Sequence, residues 1–99
     1  MPRNNGMADA NEQATVTMYA TEYCSYCGAA RMLLTRKGVA YEEILVSKDP
    51  ALRDEMIRRS GRTSVPQVFV GNTHVGGFDE LHTLDASGEL DKLLAAEKA

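Results

Sequence analysis

Short apolar runs alternate along the chain with longer segments in which apolar residues recur every three or four positions. The run "TVTMYA" (residues 15–20) is β-branched and aromatic and predicts a buried strand, and "VAYEEILV" (residues 39–46) predicts a second one. The segment between them has helical periodicity. A strand, a crossover helix and a strand over this distance form a βαβ unit, so the two strands should be parallel.

Two helical segments occupy the first two thirds of the chain. In "GAARMLLTRKG" the apolar residues Ala29, Met32 and Leu33 are expected on one buried face, with basic residues and then Gly38 as the C-cap. In "KDPALRDEMIRRSG" the sequence predicts an N-cap aspartate, a proline at the first helical position and a terminal glycine. These three residues are Asp49, Pro50 and Gly61. The residues expected to face inward are Leu52, Met56 and Ile57.

The last third of the chain predicts a hairpin followed by two helices. In "SVPQVFVGNTHVGG" two apolar segments, Gln67–Val70 and residues 74–75, flank a turn at residues 71–73. The segments "FDELHTL" and "GELDKLLAAEKA" read as helices, the last one with Leu90, Leu93 and Leu94 on its buried side. The predicted order is therefore β-α-β-α-β-β-α-α. Four strands flanked by helices give an α/β layer architecture.

Length and composition describe one ordinary globular domain. The chain has 99 residues, of which 43% are hydrophobic and 25% charged. With 11 basic and 14 acidic side chains the net charge is −3, which argues against nucleic acid as a partner. A local basic group is either a solvated helix face or lies near a small anionic ligand. Its members are Arg53, Arg58, Arg59 and Arg62.

The N-terminal residues differ in composition from the rest. Residues 1–13 are polar, contain no apolar signal core and are expected to form a flexible lead-in, which leaves residues 14–99 as the domain. No apolar run is long enough to span a bilayer, so no membrane association is expected. The cytoplasm is the expected compartment. A lasting structural disulfide is the least expected use of cysteine there.

The chemistry-bearing feature is "EYCSYCGAA" (residues 22–30), which contains the only two cysteines, Cys24 and Cys27. Cys24 falls between the end of a strand and the start of a helix. The free N–H groups and partial positive charge of a helix N-terminus favour the thiolate, which is the nucleophile. Cys27 lies about one turn later on the same side and can reach the first sulfur. This arrangement suits thiol–disulfide exchange.

Structural zinc is the main competing use of the two cysteines. Four ligands are needed, and the cysteines and histidines of the chain number four in total. The histidines, His74 and His82, are eight residues apart and fall on a predicted hairpin and a separate helix. That spacing is outside the range of zinc-finger pairs, so no metal site is expected.

Three motifs together resemble the glutaredoxin family, in its dithiol class. They are "CSYC", "TSVPQVFV" and "HVGGFDEL", and the resemblance runs over residues 15–92. It implies a thioredoxin-like fold with a mixed four-stranded sheet flanked by helices, and glutathione as co-substrate. The expected partners are glutathione and disulfide-containing or glutathionylated proteins, and the chain is expected to be a monomer.

The resemblance also implies roles for individual residues. Cys24 would be the nucleophile and Cys27 the resolving thiol. Tyr26 would line the glutathione groove. Pro66 would be a cis-proline that leaves the Val65 backbone free to pair with the backbone of glutathione.

Other residues would hold the two ends of glutathione. Gly77, Phe78 and Asp79 would hold the γ-glutamyl end, because they begin a helix whose N–H groups suit a carboxylate. Arg53 would face the glycine carboxylate, and Arg62 is a weaker candidate for the same contact.

Two residues depart from the family pattern. Thr21, in the glutathione-binding position three residues before Cys24, stands where the family usually has lysine. Loss of the ammonium should weaken both the stabilisation of the Cys24 thiolate and the binding of a glutathione carboxylate. Ser25 replaces the usual proline and adds an N–H and a hydroxyl near the Cys24 sulfur. The two changes affect the stability of the Cys24 thiolate in opposite directions.

The function expected from the resemblance is glutathione-dependent reduction of protein disulfides and protein–glutathione mixed disulfides. An alternative, which Ser25 keeps open, is a dimer that binds one [2Fe–2S] cluster through Cys24 of each copy and two glutathiones. A third reading is a glutaredoxin-like protein that thioredoxin reductase reduces. Such proteins lack the γ-glutamyl-binding segment, so "VGGFDEL" argues against it.

Overall fold

The order of the secondary-structure elements is the one that the apolar pattern predicts. The computed structural model describes residues 15–97, so the predicted lead-in, residues 1–13, lies outside the described residues. The eight elements are β1 (Val16–Ala20), α1 (Ser25–Arg36), β2 (Tyr41–Leu45), α2 (Pro50–Ser60), β3 (Gln67–Val70), β4 (Thr73–Gly76), α3 (Phe78–Ser87) and α4 (Glu89–Ala96).

The four strands form one mixed sheet in the order β2-β1-β3-β4. Strands β1 and β2 are parallel, with Val16 opposite Tyr41 and Ala20 opposite Leu45, which confirms the predicted βαβ unit. The β1–β3 and β3–β4 pairs are antiparallel. The central position of β1 and β3 buries both of their faces, because helices cover the sheet on each side.

The core has two parts, one on each face of the sheet. Met18 and Ala20 of β1 pack in a cluster with buried residues of α1, α3 and α4. Tyr19 points to the opposite face, where it packs with Phe69 and with Met56 of α2. This alternation follows from the period of two along a strand. The helix α1, which begins with the cysteine motif, is thereby fixed against the sheet.

A polar network satisfies the buried hydroxyl of Tyr19. This hydroxyl donates to Glu55 Oε2 at 2.5 Å and accepts from Arg59 Nη1 at 2.7 Å. The Arg59 guanidinium carbon also lies 4.2 Å from the centre of the Phe69 ring. Arg59, one of the four clustered basic residues, therefore serves the packing of α2 on the sheet.

The predicted buried face of α1 was partly wrong. Met32 is 67% exposed and Ala29 is only half-buried. The residues of α1 that are buried are Cys27, Ala30, Leu33 and Leu34. Because each residue turns an α-helix by about 100°, Met32 lies about 140° from Cys27 around the helix axis. The helix places the second cysteine in the core and turns the methionine outward.

The helix ends agree closely with their sequence signals. The Asp49 side chain caps α2 by accepting from the backbone nitrogen of Ala51 at 2.9 Å, and Gly61 ends that helix with φ of 73°. Helix α1 ends at Arg36, so Lys37 rather than Gly38 is its C-cap. None of the helices among residues 15–97 combines the length and apolar composition that crossing a bilayer requires.

Candidate active site

Cys24 is the N-cap residue of α1, at the end of the loop that leaves β1. Its backbone is extended, with φ of −97° and ψ of 121°, and its carbonyl accepts the first helical hydrogen bond, from Gly28 N at 3.1 Å. Cys24 is partly exposed and Cys27 is fully buried, and both are free thiols. The loop therefore presents one sulfur to solvent and keeps the other inside, one turn below.

The helix N-terminus favours ionisation of Cys24. Partial burial raises the pKa of the Cys24 thiol, but the N–H and thiol of Cys27, the N–H of Tyr26 and the charge of Arg31 act in the other direction. Together they hold the pKa of Cys24 below its ordinary value. The thiolate, which is the nucleophilic form, therefore forms more readily at Cys24 than at an ordinary cysteine.

The pKa of the Cys27 thiol is shifted in the opposite direction, above its ordinary value. Burial and the neighbouring Cys24 sulfur together raise the pKa of the Cys27 thiol to about 11, against hydrogen bonding from the Thr21 backbone and the charge of Arg31, which lower it. Cys27 therefore stays a neutral thiol that can donate to the Cys24 sulfur. The two cysteines differ in protonation, as an attacking and a resolving thiol should.

The loop before β3 lies against Cys24. The Cys24 thiol donates to the Val65 carbonyl at 3.7 Å, and the Val65–Pro66 peptide bond is cis, as the resemblance implies. Pro66 is buried and Val65 partly buried. The Val65 backbone is consequently adjacent to the sulfur at which a substrate would react.

A groove of about 320 Å³ runs from this loop to the start of α3. Its lining brings together six of the predicted glutathione-binding residues. They are Tyr26, Val65, Pro66, Gly77, Phe78 and Asp79, and Arg62, Ser64 and Glu80 complete the lining. Thr21 and Arg53 are not among the lining residues. The Thr21 backbone instead acts on Cys27, whose pKa it lowers, and Arg53 is an exposed residue of α2.

A carboxylate already lies at the N-terminus of α3. Glu80 Oε1 accepts from the Gly77 nitrogen at 2.7 Å and lies 3.3 Å from Arg62 Nη1. The Gly77 N–H and the Arg62 charge hold the pKa of the Glu80 carboxyl below its usual range. The N–H groups of Phe78 and Asp79, the first two residues of α3, have no partner within the helix. They are the groups that remain for an external carboxylate.

Comparison with known proteins identifies the family. The model of the family described as "Glutaredoxin" matches residues 16–75. A glutaredoxin of Pseudomonas aeruginosa is 51% identical over 81 residues, which cover 82% of this chain and 96% of that protein. The chain belongs to the glutaredoxin family. The predicted glutathione-dependent thiol oxidoreductase function is thereby confirmed at the level of the family.

Solved glutaredoxins have the same fold. The solution structure of a Brucella melitensis glutaredoxin is 45% identical, with a TM-score of 0.77 over 89% of this chain and 96% of that one. A buckwheat glutaredoxin–glutathione complex has a TM-score of 0.76 over 95% of this chain and 89% of that one, and at 24% identity it supports the fold alone. The predicted thioredoxin-like architecture is confirmed.

Aromatic rings border the reactive sulfur of this glutaredoxin. Tyr26 is 59% exposed, its ring centre lies 6.4 Å from that of Phe78, and Phe78 in turn lies 5.7 Å from the ring of His82. Tyr23, which precedes Cys24, is 94% exposed. An exposed apolar rim at a nucleophile offers contact area to a substrate.

The histidines of this glutaredoxin have other neighbours than the cysteines. His74 Nε2 lies 2.7 Å from Gln67 Oε1, whereas His82 stacks near Phe78. Within residues 15–97 no group of three or more His, Cys, Asp or Glu side chains could hold a metal ion. The [2Fe–2S] alternative, which requires two copies and glutathione, is not favoured by the comparisons.

Two contributors to the site, Glu80 and Arg31, were not predicted from the sequence. Glu80 had a usable signal, since a Glu three residues after a helix N-cap is typical of a capping box. Arg31 had none, because its contacts depend on how α1 packs beside β2. Its guanidinium donates to Glu43 and to the Thr21 carbonyl, in the loop that precedes Cys24.

Proposed function

We propose that this chain is a glutathione-disulfide oxidoreductase that reduces protein–glutathione mixed disulfides and protein disulfides, with Cys24 as nucleophile. The observation that carries the proposal is the asymmetry of the cysteine pair. Cys24 is partly exposed with a lowered pKa, and Cys27 is buried with a pKa of about 11. Only the first sulfur is both accessible and readily ionised, so the first attack falls to Cys24.

Deglutathionylation needs only this sulfur. The Cys24 thiolate attacks the glutathione sulfur of a mixed disulfide, a Cys24–glutathione disulfide forms, and the protein thiolate leaves and takes up a proton. The thiolate of a second glutathione then attacks the glutathione sulfur bound to Cys24. Oxidised glutathione leaves and the Cys24 thiolate is regenerated, so atoms and electrons balance.

Reduction of a protein disulfide uses both thiols. Cys24 attacks one sulfur of the substrate and forms a mixed disulfide, and the other substrate sulfur leaves as a thiolate. Once Cys24 is no longer an anion, the charge that opposes ionisation of Cys27 is gone. Cys27 then loses its proton, attacks the Cys24 sulfur and releases the reduced substrate. Two glutathione molecules reduce the resulting Cys24–Cys27 disulfide.

Glutathione is proposed to lie in the groove between Tyr26 and the start of α3. The Val65 backbone would pair with the cysteinyl residue of glutathione, since it borders the Cys24 sulfur. The N–H groups of Phe78 and Asp79 would take the γ-glutamyl carboxylate and the Asp79 side chain its ammonium. Arg53 would approach the glycine carboxylate from α2.

Substitution of each cysteine tests the proposal. Cys24→Ser should abolish both activities, whereas Cys27→Ser should keep deglutathionylation and lose the reduction of protein disulfides. The assays use a glutathionylated peptide and a disulfide-bonded protein, with glutathione and glutathione reductase as the reducing system. Full activity in Cys24→Ser would refute the assignment. Replacing that system with thioredoxin reductase should leave the oxidised protein unreduced.

The working form is proposed to be a cytoplasmic monomer. A monomer leaves the groove and the Cys24 sulfur open to protein substrates. The cluster-bridged dimer would instead cover Cys24 in each copy. Anaerobic incubation with iron, sulfide and glutathione, followed by size-exclusion chromatography, separates the two, since a coloured dimer would contradict a purely monomeric protein.

A further inference from the structure

Arg31 connects three parts of the structure beside the cysteine pair. It lies on α1, one turn after Cys27. Its Nε and Nη2 atoms donate to Glu43 Oε2 at 2.8 and 2.5 Å, and Nη2 also donates to the Thr21 carbonyl at 2.9 Å. The side chains of Arg31 and Glu43 are only 28% and 25% exposed. A guanidinium can hold a strand carboxylate and a loop carbonyl together because its donors form a rigid fork.

Thr21 links this arginine to the sulfur atoms. Its carbonyl accepts from Arg31 at 2.9 Å, and hydrogen bonding from its backbone lowers the pKa of the Cys27 thiol. The Arg31 bond therefore fixes the loop residue that contacts the resolving thiol, three positions before the nucleophile. The side chain of Thr21 carries no charge, so the cation at this loop comes from α1.

The charged groups around the cysteine pair come from α1, β2 and the loops that follow β1 and β2. Arg31 faces it from α1, and its charge favours the thiolate at both sulfurs. Glu43 and the phenol of Tyr41 face Arg31 from β2. The nearby Glu22 carboxylate accepts from Ser47 Oγ at 2.5 Å and pairs with Lys48 Nζ at 3.3 Å.

We propose that Arg31 is a positioning residue for thiol exchange, and that Glu43 sets how much of its charge the cysteines experience. Arg31 holds the Thr21 loop against Cys27 and brings a cation to the base of the site. Glu43 fixes the guanidinium in place and partly neutralises it. The inference rests on the proposed role of Cys24 as the nucleophile.

The test measures the ionisation of Cys24 directly. In a Cys27→Ser background a single thiol remains, and its thiolate is followed by ultraviolet absorbance against pH. Arg31→Met should raise the midpoint of this titration by about half a unit, roughly a threefold change in the ionisation constant. Arg36→Met removes a cation from the exposed end of the same helix and should leave the midpoint unchanged.

A second variant, Glu43→Gln, should shift the midpoint of the Cys24 titration in the opposite direction. Glu43→Gln keeps an oxygen that accepts from Arg31 but removes the negative charge, so the midpoint should fall. If Arg31→Met does not fold, this variant decides alone, because a merely structural contact would leave the midpoint unchanged. An unchanged or higher midpoint in Glu43→Gln overturns the inference.

Arg31→Lys separates position from charge. A lysine keeps the cation, but one ammonium cannot reproduce the fork that joins Glu43 to the Thr21 carbonyl. With both cysteines present, this variant should resolve the Cys24 mixed disulfide several-fold more slowly than the wild type. In the Cys27→Ser background its Cys24 midpoint should stay within about 0.2 units of that of the parent. Resolution at the wild-type rate overturns the positioning role.

The failure of this inference is distinguishable from failure of the proposed function. The Cys27→Ser parent is assayed first with the glutathionylated peptide. An inactive parent refutes the proposed function. An active parent whose titration does not respond to Arg31 or Glu43 refutes only the role of this ion pair.

Discussion

The Glu80 carboxylate accepts a hydrogen bond from the backbone N–H of Gly77, at the start of α3, with an N–O distance of 2.7 Å. Because this helix start also borders the groove, Glu80 both caps the helix and places a negative charge beside the site proposed for the γ-glutamyl carboxylate. The same carboxylate oxygen lies 3.3 Å from Arg62. One side chain thus couples the stability of α3 to the charge of the groove.

Loss of the Glu80 cap should destabilise the fold in a pH-dependent way. Glu80→Ala should lower the free energy of unfolding by about 1 kcal/mol near neutral pH, and Glu80→Gln by less, because its amide oxygen still accepts from Gly77. Since the pKa of Glu80 is lowered in the folded state, its contribution is complete above the unfolded pKa of about 4.3 and is lost as pH falls through the lower folded pKa. Urea unfolding of the three proteins at neutral and acid pH measures this, and a difference that persists undiminished in acid contradicts it.

The sequence was sufficient for the order of elements but not for side-chain contacts across them. The strands and helices could be predicted because their periods and end signals are strong, as Asp49 and Gly61 show. The face of α1 could not, because five of its residues from Ala29 to Leu34 are apolar and several phases fit. Burial of Cys27 in the core selects one of them.

In the candidate site too, the motif residues could be predicted from the sequence but the contacts between distant residues could not. Its motif residues could be named from the resemblance, and six of them line one groove. The contacts of Arg31 with Thr21 and Glu43 join residues that are 10 and 12 positions apart, on three different segments. No local pattern encodes such contacts, since they follow from the packing of α1 beside β2.

Arg53 and Arg62 should differ in their effect on glutathione binding. Arg62 is paired with Glu80, whereas Arg53 has no ion-pair partner among residues 15–97, so Arg53 keeps its charge available for the glycine carboxylate. Arg53→Ala should raise KM for a glutathionylated peptide about fivefold, equivalent to roughly 1 kcal/mol, with little change in kcat. Arg62→Ala is the matched variant and should have a smaller effect. Steady-state kinetics of both variants show which arginine contacts the glycine carboxylate. A larger increase in KM in Arg62→Ala would assign that contact to Arg62 instead.

The Cys27 thiol should lower the pKa of Cys24 by donating a hydrogen bond. At a pKa of about 11 Cys27 is protonated at neutral pH and its side chain donates to the Cys24 thiolate. Cys27→Ala removes this donor and should raise the Cys24 pKa by about one unit relative to Cys27→Ser, whose hydroxyl can still donate. Thiolate absorbance against pH measures both variants, each with a single cysteine. Equal midpoints in the two variants would contradict the role of the donor.

His74 should make the folded state sensitive to mild acid. Its Nε2 atom lies 2.7 Å from Oε1 of the fully buried Gln67, whose amide nitrogen donates to the Ser64 carbonyl at 3.1 Å, next to the groove. Burial and the positive charge of Arg62 lower the pKa of His74, partly offset by Glu80. The unfolded chain therefore binds a proton more readily than the folded one. Stability is complete above the unfolded pKa of about 6.5 and falls as pH decreases from there toward the lower folded pKa.

The pH dependence of unfolding for His74→Gln tests this assignment. Glutamine does not titrate, so this variant should lose less stability than the wild type when the pH is lowered from about 7.5 to about 5. His82→Gln, a substitution on the exposed surface of α3, should keep the wild-type profile. Urea unfolding of the three proteins at the two pH values gives one loss of stability for each, and these three losses are compared. If the stability of His74→Gln depends on pH as that of the wild type does, the acid sensitivity arises elsewhere. A weaker dependence would assign it to His74, which contacts the loop of Ser64 and Val65 through Gln67.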